Sequence, residues 1–357
     1  SALLVYAQAG YLALLAAWAR AERPPSLDEP QAPARDALPS VTLVIAAHDE
    51  EAVIGAKVEN ALALDYPRDR LQVIVASDGS GDATVQRAEQ AGADLVLALP
   101  RGGKIRAQDA AVEQATGEIV AFSDANALLE PDALTELVAP FQDPKVGYAC
   151  GQVTFVNDAG TNQEGLYWRY EMALRALESR LHSVTGGNGA LYATRREAYV
   201  VVDAIMGHDL SFPFTFVKNG WRAVYRPSAK ATEKMVPSIE GEWQRKRRMM
   251  SHAWPIVVRG GLADPRGYPA RYALMIASHR LLRYASPFLH LLAPAWRPAR
   301  LPTLALLAAA ALGGRSDARP LLVARYYVLT QASIAAGLYD WLRHGTEAGW
   351  EQPEGTR

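Results

Sequence analysis

Between residues 41 and 124 four apolar, β-branched runs alternate with segments of helical character, and this alternation limits the possible folds more than any other feature. "VTLVIAA" (41–47), "LQVIVAS" (71–77), "DLVLAL" (94–99) and "EIVAFSD" (118–124) read as buried strands. Residues 50–64 fit a helix, "SGDATVQRAEQAG" gives one that ends at Gly92, and 103–117 gives one closed by Gly117. Such alternation predicts an α/β fold: a mostly parallel sheet with helices on both faces. Ligands of such sheets gather outside the carboxyl ends of the strands. Beyond 145 the pattern loosens into a strand ("VGYACGQVTFV"), a long helix over 162–181, and a glycine-rich loop that runs into a strand ("TGGNGALYATRR").

The flanks differ from this middle. Residues 2–19 carry no charge and are about long enough to cross a bilayer core of ~30 Å. Arg20 and Arg23 follow them and no Lys or Arg precedes them, which places the next segment in the cytoplasm by the positive-inside rule. The proline-rich stretch 22–39 reads as a linker. After 270 an apolar segment carries His279, Arg280, Arg283 and His290 and suits a membrane interface. "PLLVARYYVLTQASIAAGLYDWL" has aromatic ends, as a spanning helix would. Two to four C-terminal membrane helices are expected. The expected domains are a transmembrane helix (1–20), a linker (21–39), a cytosolic domain (40–255), interfacial and transmembrane helices (256–345) and a tail (346–357). A net charge of −1 gives no basic field for nucleic acid. Cys150 stands alone, so neither an intramolecular disulfide nor a cysteine-based zinc cluster can form.

Four clusters at strand ends and loops carry chemistry. "IAAHDEE" (45–51) closes the first strand, and "SDGSGDAT" (77–84) closes the second with more polar groups and glycines than a helix cap needs. "RGGKIRAQ" (101–108) opens a helix with glycines and Lys104, which suits an anion such as a diphosphate. It lacks the spacing of a P-loop. "SDAN" (123–126) ends the fourth strand. Downstream, Asp209 precedes an apolar segment and is placed to act as a general base. The basic run around Gln244, Arg245, Lys246, Arg247 and Arg248 would either face lipid headgroups or neutralise a departing diphosphate.

Taken in order, "AAHDEE", "SDGSGDAT", "GGK", "FSDAN", "GGNGALYATRR", "HDL", "GWR", "QRKRR" and "SHRLLR" resemble the membrane-bound inverting family 2 glycosyltransferases, which include cellulose, hyaluronan and poly-N-acetylglucosamine synthases and exopolysaccharide transferases. The likeness runs from about Val41 to Tyr284. It implies a GT-A fold flanked by membrane helices, a nucleotide-sugar donor (a UDP-sugar favoured), Mg²⁺ or Mn²⁺, and a saccharide or lipid-linked acceptor at the cytoplasmic face of a bacterial inner membrane.

Residue by residue, the resemblance places Asp78 at the nucleotide base, with Ala47, His48 and Glu50 around the nucleoside. It places Lys104 near the donor, and Asp124 at the donor sugar or nucleotide and beside the metal. Asn126 occupies the usual metal-binding aspartate position, Asp209 matches the catalytic base, and Gln244, Arg247 and Arg248 fall on the Q-x-x-R-W motif. There Arg247 would offset the leaving diphosphate, and Gln244 and Arg248 would lie at the acceptor channel mouth. Asn126 for Asp and Arg248 for Trp are the two departures. The first implies weaker metal affinity from a neutral ligand. The second removes the ring that ordinarily stacks on the acceptor sugar. A transferase loading a polyprenyl phosphate, with "SHRLLRY" as its lipid-phosphate site, and a donor-binding scaffold without turnover are the alternative readings.

Overall fold

Strand β1 (Val41–Ala47) is buried along its whole length, and its side chains divide between two layers. Leu43 and Ile45 join a core with Ile54, Val58 and Leu134, whereas Val44 packs on the opposite face with Ala107, Ala111 and Phe122. A strand covered on both faces gains from apolar residues at every position, which is why its sequence does not alternate. In the computed structural model, residues 2–22, 32–156, 165–234, 239–316, 318–346 and 348 are described.

Eight strands form one sheet: β1, β2 (Leu71–Asp78), β3 (Leu95–Leu99), β4 (Ile119–Asp124), β5 (Leu128–Leu129), β6 (Val146–Val156), β7 (Leu191–Arg195) and β8 (Arg222–Lys234). Their order is β3-β2-β1-β4-β7-β6-β8-β5. The half β3-β2-β1-β4 is parallel, as predicted. Beyond β4 the sheet is mixed, because β7 runs antiparallel to both β4 and β6, and β5 antiparallel to β8. The carboxyl ends of β1, β2 and β4 therefore face one edge, beside the loop that leads into β7.

Helix α1 is Ala2–Glu22. Helices α2 (Ile54–Leu62), α3 (Thr84–Gln90), α4 (Lys104–Glu113) and α5 (Ala133–Val138) connect or cover the first strands. Helix α6 (Gly165–Leu181) matches the expected long helix, with 162–164 outside the described residues. The segment after Gly207 is a helix, α7 (His208–Lys218). Helix α8 (Ile239–Val258) carries the basic run, and three helical stretches follow: α9 (270–292), α10 (Arg297–Leu312) and α11 (Arg319–His344). Two described helices, α1 and α11, are long and apolar enough to cross a membrane. Residues 23–31 of the linker and most of the tail lie outside the described residues.

The helical flanks dock on the sheet domain through polar contacts. Tyr11 Oη on α1 donates to Glu178 Oε1 on α6 at 2.9 Å, and Tyr6 Oη meets Ser278 Oγ on α9 at 2.8 Å. His279 Nδ1 lies 2.7 Å from Glu178, and Arg283 pairs with Glu171. Desolvating this many charges is costly unless each is matched, so the pairing fixes α1, α6 and α9 in one arrangement. Helix α8 lies along α11, where Trp254 Nε1 donates to the Ile334 carbonyl at 2.9 Å.

Candidate active site

The loops after β1 and β2 interlock. Asp49 adopts φ +51, and its N–H donates to Ser80 Oγ at 3.0 Å while its carboxylate accepts from Gly81 N–H at 2.7 Å. Glu50 N–H donates to Thr84 Oγ1 at 2.7 Å and Glu51 N–H to Asp82 Oδ2 at 3.0 Å. His48 Nδ1 lies 2.8 Å from the Asp78 carbonyl. Ala47, His48, Glu50 and Asp78, which the family resemblance assigns to the nucleoside, thus share one interlocked unit. Ala47 and Glu50 are fully buried in it and His48 is half-buried.

The Asp78 side chain has a structural occupation. Its carboxylate accepts from the Gly102 N–H at 2.6 Å and the Gly103 N–H at 3.0 Å, with Arg101 Nε 3.8 Å away. It is 1% exposed. Asp78 therefore ties the second strand to the start of α4. Gly103 sits at φ +93 just before that helix, a conformation that favours glycine. The next residue, Lys104, ion-pairs with Asp124 Oδ1 and reaches the Gly189 carbonyl at 3.5 Å. A helix N-terminus with a lysine in its first turn is a suitable seat for a diphosphate.

Asp124 ends β4 and turns tightly, with Ala127 N–H donating back to its carbonyl at 3.2 Å. Under this turn lies Lys57, wholly buried, which donates to Ser123 Oγ at 2.8 Å and to the Ala127 carbonyl at 2.5 Å. Burial pulls Lys57 down from its ordinary value to about 7, with Asp124 and Glu233 opposing that shift. Glu233, near the end of β8, has its carboxyl raised by burial and then by Asp124. Asn126 is half-buried on the turn.

A cavity of about 450 Å³ runs from this turn toward the helices, lined among others by Asp124, Glu233, Asp209, Arg248, Arg280 and Arg283. Asp209 stands in the first turn of α7, where a carboxylate is favoured by the helix dipole. Its neighbour His208 belongs to the core. It stacks on Phe212 at 3.7 Å and meets Tyr192 Oη at 2.8 Å. Burial, followed by the charge of Lys104, holds it well below its usual range and so uncharged.

The basic run divides. Arg248 lines this cavity and also a second cleft of about 590 Å³ beside Arg101, Gly102 and Gly103. Arg245 and Lys246 line the first cavity and are held by Glu242 at 2.7 and 3.1 Å. Arg247, expected at the leaving diphosphate, lines neither. Its guanidinium is bidentate with Asp340 on α11, both contacts at 2.6 Å. Gln244, expected at a channel mouth, is exposed and also lines neither. Gln244 and Arg247, three residues apart, share the face of α8 turned away from the wall that Arg245, Lys246 and Arg248 line, so the geometry of the helix divides the run. Three residues that the sequence did not single out also belong here. They are Lys57, Glu233 and His252, the last of which lines both cavities. None sits in a recognisable local pattern, so no local signal marked them.

Residues 39–251 match the family model described as glycosyltransferase like family 2. An N-acetylglucosaminyltransferase of Mesorhizobium japonicum is 30% identical over 63% of this chain and 57% of its own length. A beta-monoglucosyldiacylglycerol synthase of Synechocystis sp. is 30% identical over 59% of this chain and 47% of its own. The match thus spans about half the length of these curated relatives. A solved mannosyltransferase from Pyrobaculum calidifontis, in complex with GDP-Man and Mn²⁺, has a TM-score of 0.72 and 25% identity, covering 96% of this chain and 98% of its own. With the GT-A-like sheet and the family match over more than half its length, the chain belongs to the glycosyltransferases of family 2 type.

Proposed function

We propose that the chain is an inverting transferase of the membrane-bound branch. It moves a sugar from a nucleoside-diphosphate sugar, with a UDP-sugar favoured, to a saccharide or lipid-linked acceptor at the cytoplasmic face of the membrane. The observation that carries this is one cavity whose wall is shared by Asp124, Glu233 and Asp209 with Arg280, Arg283, Tyr284, Ile256 and Ile334; in this reading the first two mark a donor end and the last five an acceptor end. A donor end, a carboxylate and a partly apolar acceptor end share one space. Helices α1 and α11 are proposed as the membrane anchors, with 40–255 as the cytosolic catalytic domain.

In this reading Asp209 removes the proton from an acceptor hydroxyl. The acceptor oxygen forms a bond to the anomeric carbon from the face opposite the leaving group. The bond from that carbon to the diphosphate oxygen breaks, its electron pair leaves with the diphosphate, and configuration inverts. In the same reading Lys104 and Arg248 offset the charge on the departing group.

Mg²⁺ or Mn²⁺ fits the donor end. Among the described residues no three His, Cys, Asp or Glu side chains gather as a complete cage, whereas carboxylates from Asp124 and Glu233 share the cavity wall. A few oxygen ligands completed by substrate phosphates is the usual habit of these cations. Asp124, on the cavity wall, would hold the ion with Asn126, which shares its turn but does not line the cavity; when bound the ion acts as a Lewis acid at the diphosphate.

Arg280 and Arg283 favour a second, narrower reading in which the acceptor is itself a lipid phosphate. Arg280 Nε donates to Thr185 Oγ1 at 3.0 Å and so is fixed facing the cavity. Incubating detergent-purified protein with a panel of UDP- and GDP-sugars and either polyprenyl phosphate or neutral lipid acceptors tests both. Butanol-extractable product only with the phosphate acceptor supports the narrower reading. No donor turnover with any acceptor defeats the proposal.

A further inference from the structure

We propose that Glu233 supplies the carboxylate that Asn126 lacks, so that Asp124, Asn126 and Glu233 together present oxygen ligands to the divalent cation at the donor diphosphate. This deepens the transferase reading above and rests on it.

The sheet register brings Glu233 to the turn. β5 and β8 pair antiparallel, with Leu129 opposite Ala231 and Leu128 opposite Thr232. In an antiparallel ladder partners step in opposite directions, so the next position brings Glu233 toward Ala127. Ala127 closes the turn that begins at Asp124 and contains Asn126. Side chains alternate along a strand, so Glu233 shares a face with Ala231. Ala231 is fully buried in the core beneath the turn, and two residues further on the same face emerges at the cavity wall shared with Asp124.

Three cations among the described residues act on Glu233: Lys104, which ion-pairs with Asp124 Oδ1 on the same turn, Arg245 and Lys57. Lys57 holds the Ala127 carbonyl and Ser123 Oγ from below, which fixes the height of the turn against β8. Arg245 is engaged by Glu242 at 2.7 Å. A hard cation selects oxygen donors, and its affinity rises with the number of charged ones. An aspartate at 126 would give the turn two carboxylates. Asparagine leaves it one, and a glutamate arriving from the adjacent strand restores the count.

Mn²⁺ binding to the full-length protein in detergent, read from the free Mn²⁺ electron paramagnetic resonance signal with UDP and separately with GDP, tests this without turnover. Glu233→Gln is expected to weaken Mn²⁺ binding roughly tenfold or more, and Asn126→Asp added to Glu233→Gln to recover most of the loss. Asn126→Asp alone leaves Glu233 untouched and is expected to tighten binding by less than about threefold, since the second carboxylate is already present. Unchanged binding in Glu233→Gln, no recovery in the double variant, or a roughly tenfold gain from Asn126→Asp alone would each overturn the assignment. Wild-type protein that binds Mn²⁺ with neither nucleotide would defeat the donor-site reading itself, an outcome distinct from those three.

Discussion

The Gly187 N–H donates to the carbonyl oxygen of Asp209 at 2.7 Å. This one bond ties the "GGN" loop to the first turn of α7. Arg175 Nη2 secures the same loop by donating to the Gly187 carbonyl at 2.8 Å. A Cβ on Gly187 would lie 1.9 Å from Tyr148 Oη, so this close approach needs glycine. Position, and not charge alone, defines the proposed base.

Asp209→Asn keeps the backbone bond and the helix start while removing the proton acceptor. Transfer is expected to fall by ~10² to 10⁴, with the melting temperature and nucleotide binding close to wild type. Released nucleoside diphosphate measured with acceptor present checks this; retained activity removes Asp209 from the base role.

Asp78→Ala strands the Gly102 and Gly103 N–H groups that the carboxylate now accepts. Leaving such buried donors unmet costs ~1–3 kcal/mol each. Thermal stability and UDP binding are expected to fall together. A variant that loses UDP binding with an unchanged melting curve would show that Asp78 acts on the nucleotide and not on the loop.

Arg247 and Arg248 are neighbours with different surroundings. Arg247→Ala breaks a partly exposed pair with Asp340 and is expected to cost under about 1 kcal/mol of stability, with donor KM unchanged. Arg248→Ala removes a cation from both cavities and is expected to raise donor KM or lower kcat. Steady-state kinetics of the two variants side by side decide the matter, and the opposite pattern would restore Arg247 to the diphosphate.

Lys57 gives a signed pH dependence. Burial lowers it from 10.5 to about 7, so the folded chain releases a proton that the unfolded chain still holds between those values. The penalty of burying it is complete below about pH 7 and shrinks as pH rises, by at most ~1.4 kcal/mol per unit. Chemical denaturation of wild type and Lys57→Met at pH 7 and pH 9.5 checks this. The wild type is expected to gain on the variant at the higher pH; parallel behaviour would mean that Lys57 titrates outside that range.

The sequence by itself determined the parallel half of the sheet, because β1, β2 and β4 are covered on both faces and so largely apolar, and two of the three helices between the strands stop shortly before a glycine, Gly92 and Gly117. β6 likewise coincides with its expected span, 146–156. The ordered motifs also determined the family, and those that follow β1, β2 and β4 mark strand ends that the fold holds at one edge. What only the tertiary structure decided is where the charges go. Asp78 meets Gly102 across 24 residues, Arg247 meets Asp340 across 93, and Lys57 meets Ser123 across 66. The strand or helix period predicts which face a residue takes, but carries no information about what lies opposite after chain reversals. Glu233 reaches the turn at Asp124 only because β8 runs antiparallel to the short β5, and a two-residue strand leaves almost no trace in a sequence.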